Sequence, residues 1–445
     1  MSSSTLESLA STVYAKANEL AELTKEHGVG PSIESPGGSD LSTIAPSKTR
    51  NELIRAAKDL IYLAMGPTDH VLSLAWSAGD SANLDLLTRF QIPQLVPLDS
   101  SISMSDLSAA AGLPEDVLAR SIRYGTANGL FREIAPNQIA HSSASAELHN
   151  NGHLRNVVHF GVQFLQKILM SIPSVMVVKE DKNTDKIPKT AFNLAFNTEE
   201  NLFEYFAHSK DLNMKYHEYL IGRVNTHLWS MDRLRAAWDW VSLGPKTIVD
   251  IGGSSGHTVL AIAPLASEAE FIVQDNNNVD ALDMGRKLVL LSAEPGVASR
   301  VSFQSHNFFE PQPVSADGYI LRHILHDWND EDSVSILKAL LPAIKPGAKV
   351  FISEGILPDP PAQRLNTLTE KMVLIEDQFM LAAHDARERT VGDFIRLFQT
   401  ASPKFRLAVK GLDIQSYGKA AVSGLESGHF RRQSHRSSYF SCKRY

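Results

Sequence analysis

The chain has 445 residues, of which 43% are hydrophobic and 21% charged, ordinary usage for a folded protein of a few domains. Its net charge of −7 disfavours gripping a nucleic-acid backbone as the main task. The single cysteine, Cys442, excludes an intrachain disulfide and a cysteine-based zinc site and points to a reducing compartment.

The N-terminal segment has no basic stretch followed by an apolar run, so it is not read as a secretory signal. No stretch is seen to approach the ~20 apolar residues of a membrane span, so a cytoplasmic protein with no membrane partner is expected. Residues 5–27 show helical spacing in Leu6, Leu9, Val13, Ala17, Leu20 and Leu23. Residues 28–48 are rich in Gly, Pro and Ser and are read as a linker, which leaves the first helix to dock on another subunit or on a distant part of its own chain. Helical periodicity resumes over 49–75.

Ser103 to Asp116 predicts a helix, a glycine turn at Gly112 and a second helix start, with Ser103 or Ser105 as cap and Pro114 in the first turn of the second helix. Phe131–Ile134 and Gln138–His141 follow as a hairpin, giving a winged-helix pattern over 49–150. The second helix carries Arg120 and Arg123 but also Glu115 and Asp116, so a protein-protein module is favoured over a DNA reader. Residues 151–240 are mainly helical, with many Phe, Tyr and Trp residues for packing or for lining an aromatic pocket.

From residue 241 strands and helices alternate. Strands are predicted at 247–251, 271–275, 301–303, 318–321 and 349–353, the rhythm of a doubly wound, mostly parallel α/β sheet. Asp250-Ile251-Gly252-Gly253-Ser254-Ser255-Gly256-His257 follows a strand and opens a helix. It lacks the glycine spacing of the nicotinamide fingerprint and the lysine of a P-loop. An acid before a short Gly/Ser loop suits a ligand with a cationic amino-acid portion and no phosphates. Asp275, about 20 residues beyond the loop, stands where a carboxylate accepts ribose hydroxyls.

VDIGGSSGH, FIVQD and LRHILHDWNDEDSVSILKALLPAIKPGAKVFISEGILP together resemble class I S-adenosylmethionine-dependent O-methyltransferases of the caffeate/flavonoid type. The nearest likeness is to fungal members that methylate aromatic polyketides, and it covers roughly residues 50–405. The resemblance implies a Rossmann-like methyltransferase domain over 241–410 behind an N-terminal winged-helix dimerisation domain, S-adenosylmethionine as cofactor, a small aromatic substrate and a homodimer. It places Asp250, Gly252, Gly253, Asp275, Asn307, Phe308 and Arg322 at the cofactor. Asn307 stands where the family usually has an acid near the adenine. His326 falls at the catalytic base position, with Glu354 and Glu388 as flanking carboxylates.

Residue chemistry agrees. A phenol with pKa near ~10 is mostly protonated at neutral pH, and a histidine near ~6.5 is a suitable proton acceptor. A carboxylate on its other nitrogen fixes the tautomer. No metal is required, and no metal-ligand cluster is apparent. Asp327, Asn329 and Asp330 are candidates for capping the helix that follows, Asp327 equally for a site role; His323 is read as structural or pocket-lining. Glu388, between Arg387 and Arg389, has a surface ion pair as its plainer reading. A methyltransferase-fold enzyme performing a pericyclic or decarboxylating reaction is the alternative function. The resemblance also implies a closing hairpin after Phe405–Val409, but residues 411–445 lack alternating apolar positions, so a poorly packed basic tail and an unfinished sheet edge are expected.

Overall fold

A computed structural model describes residues 5–26, 28, 30–37, 41, 47–180, 189–226, 229–276, 279–357, 368–409 and 419–425. Two units are recognised, the first comprising 1–180, 194–228 and 364–371, the second 181–193, 229–363 and 372–445.

In the first unit, helix Leu6–Glu26 packs on helix Ser47–Trp76 of its own chain. Thr49 donates to Glu19 at 2.7 Å, and Lys16 pairs with Glu52 at 2.9 Å. Gly66, at φ 73°, breaks the second helix just before Pro67, which lacks the N–H to continue it. The segment read as a linker is anchored at Ile33, whose carbonyl accepts the backbone N–H of Ser143 at 3.0 Å.

Strands β1 (Ile102–Ser103), β2 (Phe131–Ala135) and β3 (Gln138–His141) form a small antiparallel sheet in the order β1-β3-β2. Helices Met104–Ala111 and Glu115–Ala127 pack on it through Leu107, Leu118 and Ile122, completing the winged-helix arrangement. Ser103 caps the first helix by accepting the Asp106 N–H at 3.1 Å, whereas Pro114 precedes the second helix rather than entering its first turn. The short strand β1 was not foreseen; two residues carry no readable alternation.

The span 151–240 does not hold together as one body. Phe160 stacks on Tyr219 at 4.0 Å and Phe206 on Tyr216 at 5.0 Å within the first unit, while Trp238 and Trp240 pack on Phe351 in the second. Helical turns also run from Gly152 to Val177, 26 residues with an 18-residue window of mean hydropathy 1.3. By length and composition this stretch is apolar enough to cross a membrane, contrary to the expectation from uninterrupted runs. Arg155 and Lys167 interrupt it, and its Phe160 and Phe164 rings are buried against aromatic neighbours of the same unit.

The second unit holds strands β4 (Thr247–Ile251), β5 (Glu270–Asp275), β6 (Val301–Ser305), β7 (Gly318–Arg322), β8 (Lys349–Glu354), β9 (Phe405–Val409) and β10 (Lys419–Leu425). Their order is β6-β5-β4-β7-β8-β10-β9. The first five are parallel, and the two flanking clusters bury both faces of the central strands, so β4 is a run of Ile248, Val249 and Ile251 rather than an alternation. Strand order reverses between β4 and β7, so ligands are expected in the crevice outside the carboxyl ends of these strands.

The expected unfinished edge is corrected. Strand β10 pairs antiparallel with β8 from Lys419↔Glu354 to Gly424↔Lys349 and with β9 from Ala421↔Val409 to Leu425↔Phe405. A strand hydrogen-bonded on both sides draws its stability from two backbone ladders, so its small residues need no apolar alternation. The remainder of the predicted tail, 410–418 and 426–445, lies outside the described residues.

Candidate active site

All the cofactor and catalytic candidates except Glu388 sit at or just beyond the carboxyl ends of the five parallel strands. Asp250 is on β4, Asp275 ends β5, Asn307 and Phe308 follow β6, Arg322 ends β7 and Glu354 ends β8.

Two glycines shape the loop after β4. Gly252 has φ +66°, and a Cβ there would meet Ile324 Cδ1 at 2.5 Å. A Cβ on Gly253 would meet Asp250 Oδ2 at 2.5 Å. The loop is tied down by the Gly253 N–H donating to the Gln274 carbonyl at 2.9 Å and the Ser254 N–H donating to Asp275 Oδ2 at 2.8 Å. Asp250 Oδ2 is buried without a hydrogen-bond partner. Burial pushes the Asp250 carboxyl up to about 7, with the Arg322 charge opposing and Asp275 adding to the rise. Burial likewise raises Asp275, against the backbone N–H groups of Ser254 and Asn276. Asn307 Oδ1 accepts the Phe309 N–H at 3.1 Å. Phe308 and Phe309 pack on Trp328, with centroids 5.8 and 4.7 Å from it.

Beyond β7 the chain turns sharply. His323 has φ +52°, a left-handed conformation uncommon for a residue with a side chain. That turn feeds a single 3₁₀ turn, Leu325–Asp327. Glu354 Oε1 holds it by accepting the Ile324 and Leu325 N–H groups, both at 2.9 Å. Arg389, fully buried, clamps the same turn from the other side. Its guanidinium donates to the carbonyls of Leu325 at 2.5 Å and Trp328 at 2.7 Å and pairs with Asp330 at 2.9 Å.

His326 is thereby fixed in a buried position. Its Nδ1 lies 2.7 Å from Glu388 Oε1 and 3.9 Å from Glu354 Oε2; its Nε2 lies 3.5 Å from Asp327 Oδ1. Burial alone would lower this imidazole, but the carboxylates of Glu388, Asp327 and Glu354 outweigh it and push the ring up to about 10. Burial raises Glu354 to about 7 and also raises Glu388, with the His326 charge opposing both. The ordinary histidine value assumed from sequence is therefore replaced by one close to that of a phenol, ~10.

Glu388 is not a surface residue: it is buried on His326, and its neighbours Arg387 and Arg389 both turn to Asp330. Three acidic-turn candidates are also separated. Asn329 caps the helix Asp330–Leu340 by accepting the Asp332 N–H at 2.9 Å, Asp330 serves the two arginines, and Asp327 faces His326. Asp327 Oδ1 is also 3.6 Å from Nε2 of buried His384.

Arg389, His384 and Glu376 were not singled out from sequence. Charge beside charge in Arg387-Glu388-Arg389-Thr390 does not reveal which side chains point inward. The absence of a metal-ligand cluster expected from sequence also changes, because folding gathers His323, His326 and Glu354, and again His326, Glu376 and Glu388, with ligand atoms within 4.8 Å.

The sequence profile of the O-methyltransferase domain family matches residues 176–403. The chain belongs to this O-methyltransferase family. It is 32% identical to O-methyltransferase aoiF of Aspergillus oryzae over 81% of this chain and 84% of that protein. It is 31% identical to O-methyltransferase VdtC of Byssochlamys spectabilis over 88% of this chain and 92% of the other. It is 29% identical to the chlorophenol O-methyltransferase of Trichoderma longibrachiatum over 89% and 85% of the two chains. Among solved structures, OxaC in complex with SAH and oxaline superposes with a TM-score of 0.71 at 22% identity, covering 94% of this chain and 100% of that one. LepI in complex with SAM gives 0.70 at 20% identity with the same coverage. At these identities the structural likeness establishes the fold.

The enzyme transfers a methyl group from S-adenosylmethionine to oxygen, and the loop fits that cofactor. An unpartnered buried carboxylate oxygen on Asp250 calls for a cationic donor such as an α-ammonium, and Gly252 and Gly253 let the loop pack closely on Ile324 and Asp250, where a Cβ would collide.

Proposed function

We propose that this O-methyltransferase methylates a phenolic hydroxyl of a small aromatic secondary metabolite, with His326 as general base and Glu388 and Glu354 as the groups that hold it. Asp250, Gly252 and Gly253 are assigned to the amino-acid end of the cofactor, Asp275 to its ribose, and Asn307, Phe308 and Arg322 to the surrounding wall. When bound, S-adenosylmethionine supplies an electrophilic methyl on a sulfonium sulfur.

The observation that carries the reading is the buried His326–Glu388 contact at 2.7 Å. Glu388 accepts a hydrogen bond from the Nδ1 N–H, so Nε2 is the nitrogen left to accept the acceptor's phenolic hydrogen. As that proton arrives, the new imidazolium lies among Glu388, Asp327 and Glu354, which stabilise its charge. Because the raised imidazole and a phenol have similar proton affinity, transfer between them is near balance. General-base help of this kind contributes roughly 10²–10⁴-fold, and the remaining acceleration comes from alignment of the reactants. The similarity to a chlorophenol O-methyltransferase supports a phenolic acceptor.

The functional unit is proposed to be a cytoplasmic homodimer joined through the N-terminal unit. Helix Ser47–Trp76 leaves Val71, Leu72, Leu74 and Trp76 exposed, Trp76 at 76%, an apolar face suited to a second copy. Light scattering on the purified protein tests this, and a monomer at micromolar concentration rejects it.

Incubation of the full chain with methyl-labelled S-adenosylmethionine and a panel of phenolic polyketides tests the chemistry. Label is expected on a phenolic oxygen, with His326→Ala slower by on the order of 10²-fold or more. Undiminished labelling by that variant removes the base assignment.

A further inference from the structure

We propose that His323, His326 and Glu354 form an inhibitory site for a zinc-class divalent cation. The starting point is a buried oxygen that makes no hydrogen bond. Glu354 Oε1 is committed to the N–H groups of Ile324 and Leu325, which fixes the plane of the carboxylate. Its Oε2 is fully buried without a hydrogen-bond partner. That oxygen lies 3.9 Å from His323 Nδ1 and 3.9 Å from His326 Nδ1. Glu388 Oε2, beside the same imidazole, is a second buried oxygen without a partner.

Two imidazoles and one carboxylate are a donor set that favours zinc, copper or nickel over magnesium or calcium. Zinc at ~2.0–2.1 Å from each donor requires donors about 3.3–3.5 Å apart, so each Glu354–histidine pair, at 3.9 Å, needs to close by about half an ångström, and the two imidazole donors close from within 4.8 Å of each other. His323, at 18% exposure, is the most exposed of the three side chains. Three protein ligands leave a fourth position for water. Three carboxylates, Glu354, Glu388 and Asp327, lie within 4 Å of His326, with His323 facing Glu354 and His384 facing Asp327.

Binding at His326 Nδ1 has a definite consequence for the reaction. The metal takes the Nδ1 lone pair, so the single proton of the neutral ring, which Nδ1 had donated to Glu388, moves to Nε2. A donor now stands where the phenol needs an acceptor, and methyl transfer stops. The proposal shares His326 with the reading above, so binding is measured apart from turnover.

The test uses full-length protein stripped with EDTA, titrated with zinc against a chromophoric chelator in the absence of cofactor and acceptor. One zinc per chain is expected, weakened about tenfold or more in His323→Ala and Glu354→Gln and unchanged in Cys442→Ser. Magnesium should not compete, and zinc inhibition of labelling should be reversed by EDTA. Independently of any variant, cobalt bound to the wild-type protein should give the intense visible bands of four-coordination. Wild-type zinc affinity in His323→Ala, displacement by magnesium, or a pale six-coordinate cobalt spectrum overturns the site. If His326→Ala loses zinc but still methylates, the base assignment fails and the metal site stands.

Discussion

His326 Nδ1 and Glu388 Oε1 are 2.7 Å apart although 62 positions separate them in the chain. The contact joins the turn after β7 to the segment leading into helix Val391–Ala401. Against the effect of burial, Glu388 together with Asp327 and Glu354 pushes the imidazole up to about 10.

The pH dependence of turnover follows from that shift. A base must be neutral to act, and the ring, pushed up to about 10, is protonated at neutral pH. In EDTA, kcat is therefore expected to climb with pH from neutrality and level off near 10. Glu388→Gln removes the neighbouring charge, so the limb should move to lower pH while the plateau drops by on the order of 10²-fold. A wild-type rate that is flat between neutrality and the plateau contradicts the assignment.

Asp250 gives cofactor binding its own pH dependence. Its carboxyl, pushed up to about 7 by burial, must ionise to pair with an ammonium. Affinity for S-adenosylhomocysteine should weaken as pH falls through that value, by at most about tenfold per pH unit. Calorimetry on Asp250→Asn should show weaker binding that no longer varies there. Equal pH dependence in variant and wild type would mean that another group is responsible.

Arg389 is expected to matter more for structure than for contact with substrate. Arg389→Met leaves the carbonyls of Leu325 and Trp328 without their guanidinium donor in a buried site. A loss of about 2–4 kcal/mol is expected in denaturant titrations. Turnover should fall with it, because the same clamp holds His326.

Strand β10 can be challenged at its centre. Val422 pairs with Phe351 on one side and Ala408 on the other. Proline there removes a ladder donor in an interior strand, so Val422→Pro should lower the melting temperature by several degrees and promote aggregation. An unchanged melting curve would show that β10 contributes little to the sheet.

The glycine loop, the strand-helix alternation and the HDW segment were legible in the sequence because each is a local pattern, fixed by the spacing of neighbouring residues. Those patterns were enough to place Asp250, Asp275, Arg322, His326 and Glu354 at strand ends and to point to methyl transfer. Tertiary structure alone decided what folding brings from afar. It turned Arg387 and Arg389 away from Glu388 to Asp330, against the plainer surface-pair reading, raised the imidazole by crowding carboxylates around it, and left a Glu354 oxygen without a hydrogen bond beside two histidines. It also set β10 between two partners, a placement that rests on backbone ladders and leaves no mark in side-chain alternation. Burial and charge proximity are sums over residues distant in the chain, and no window along the sequence contains them.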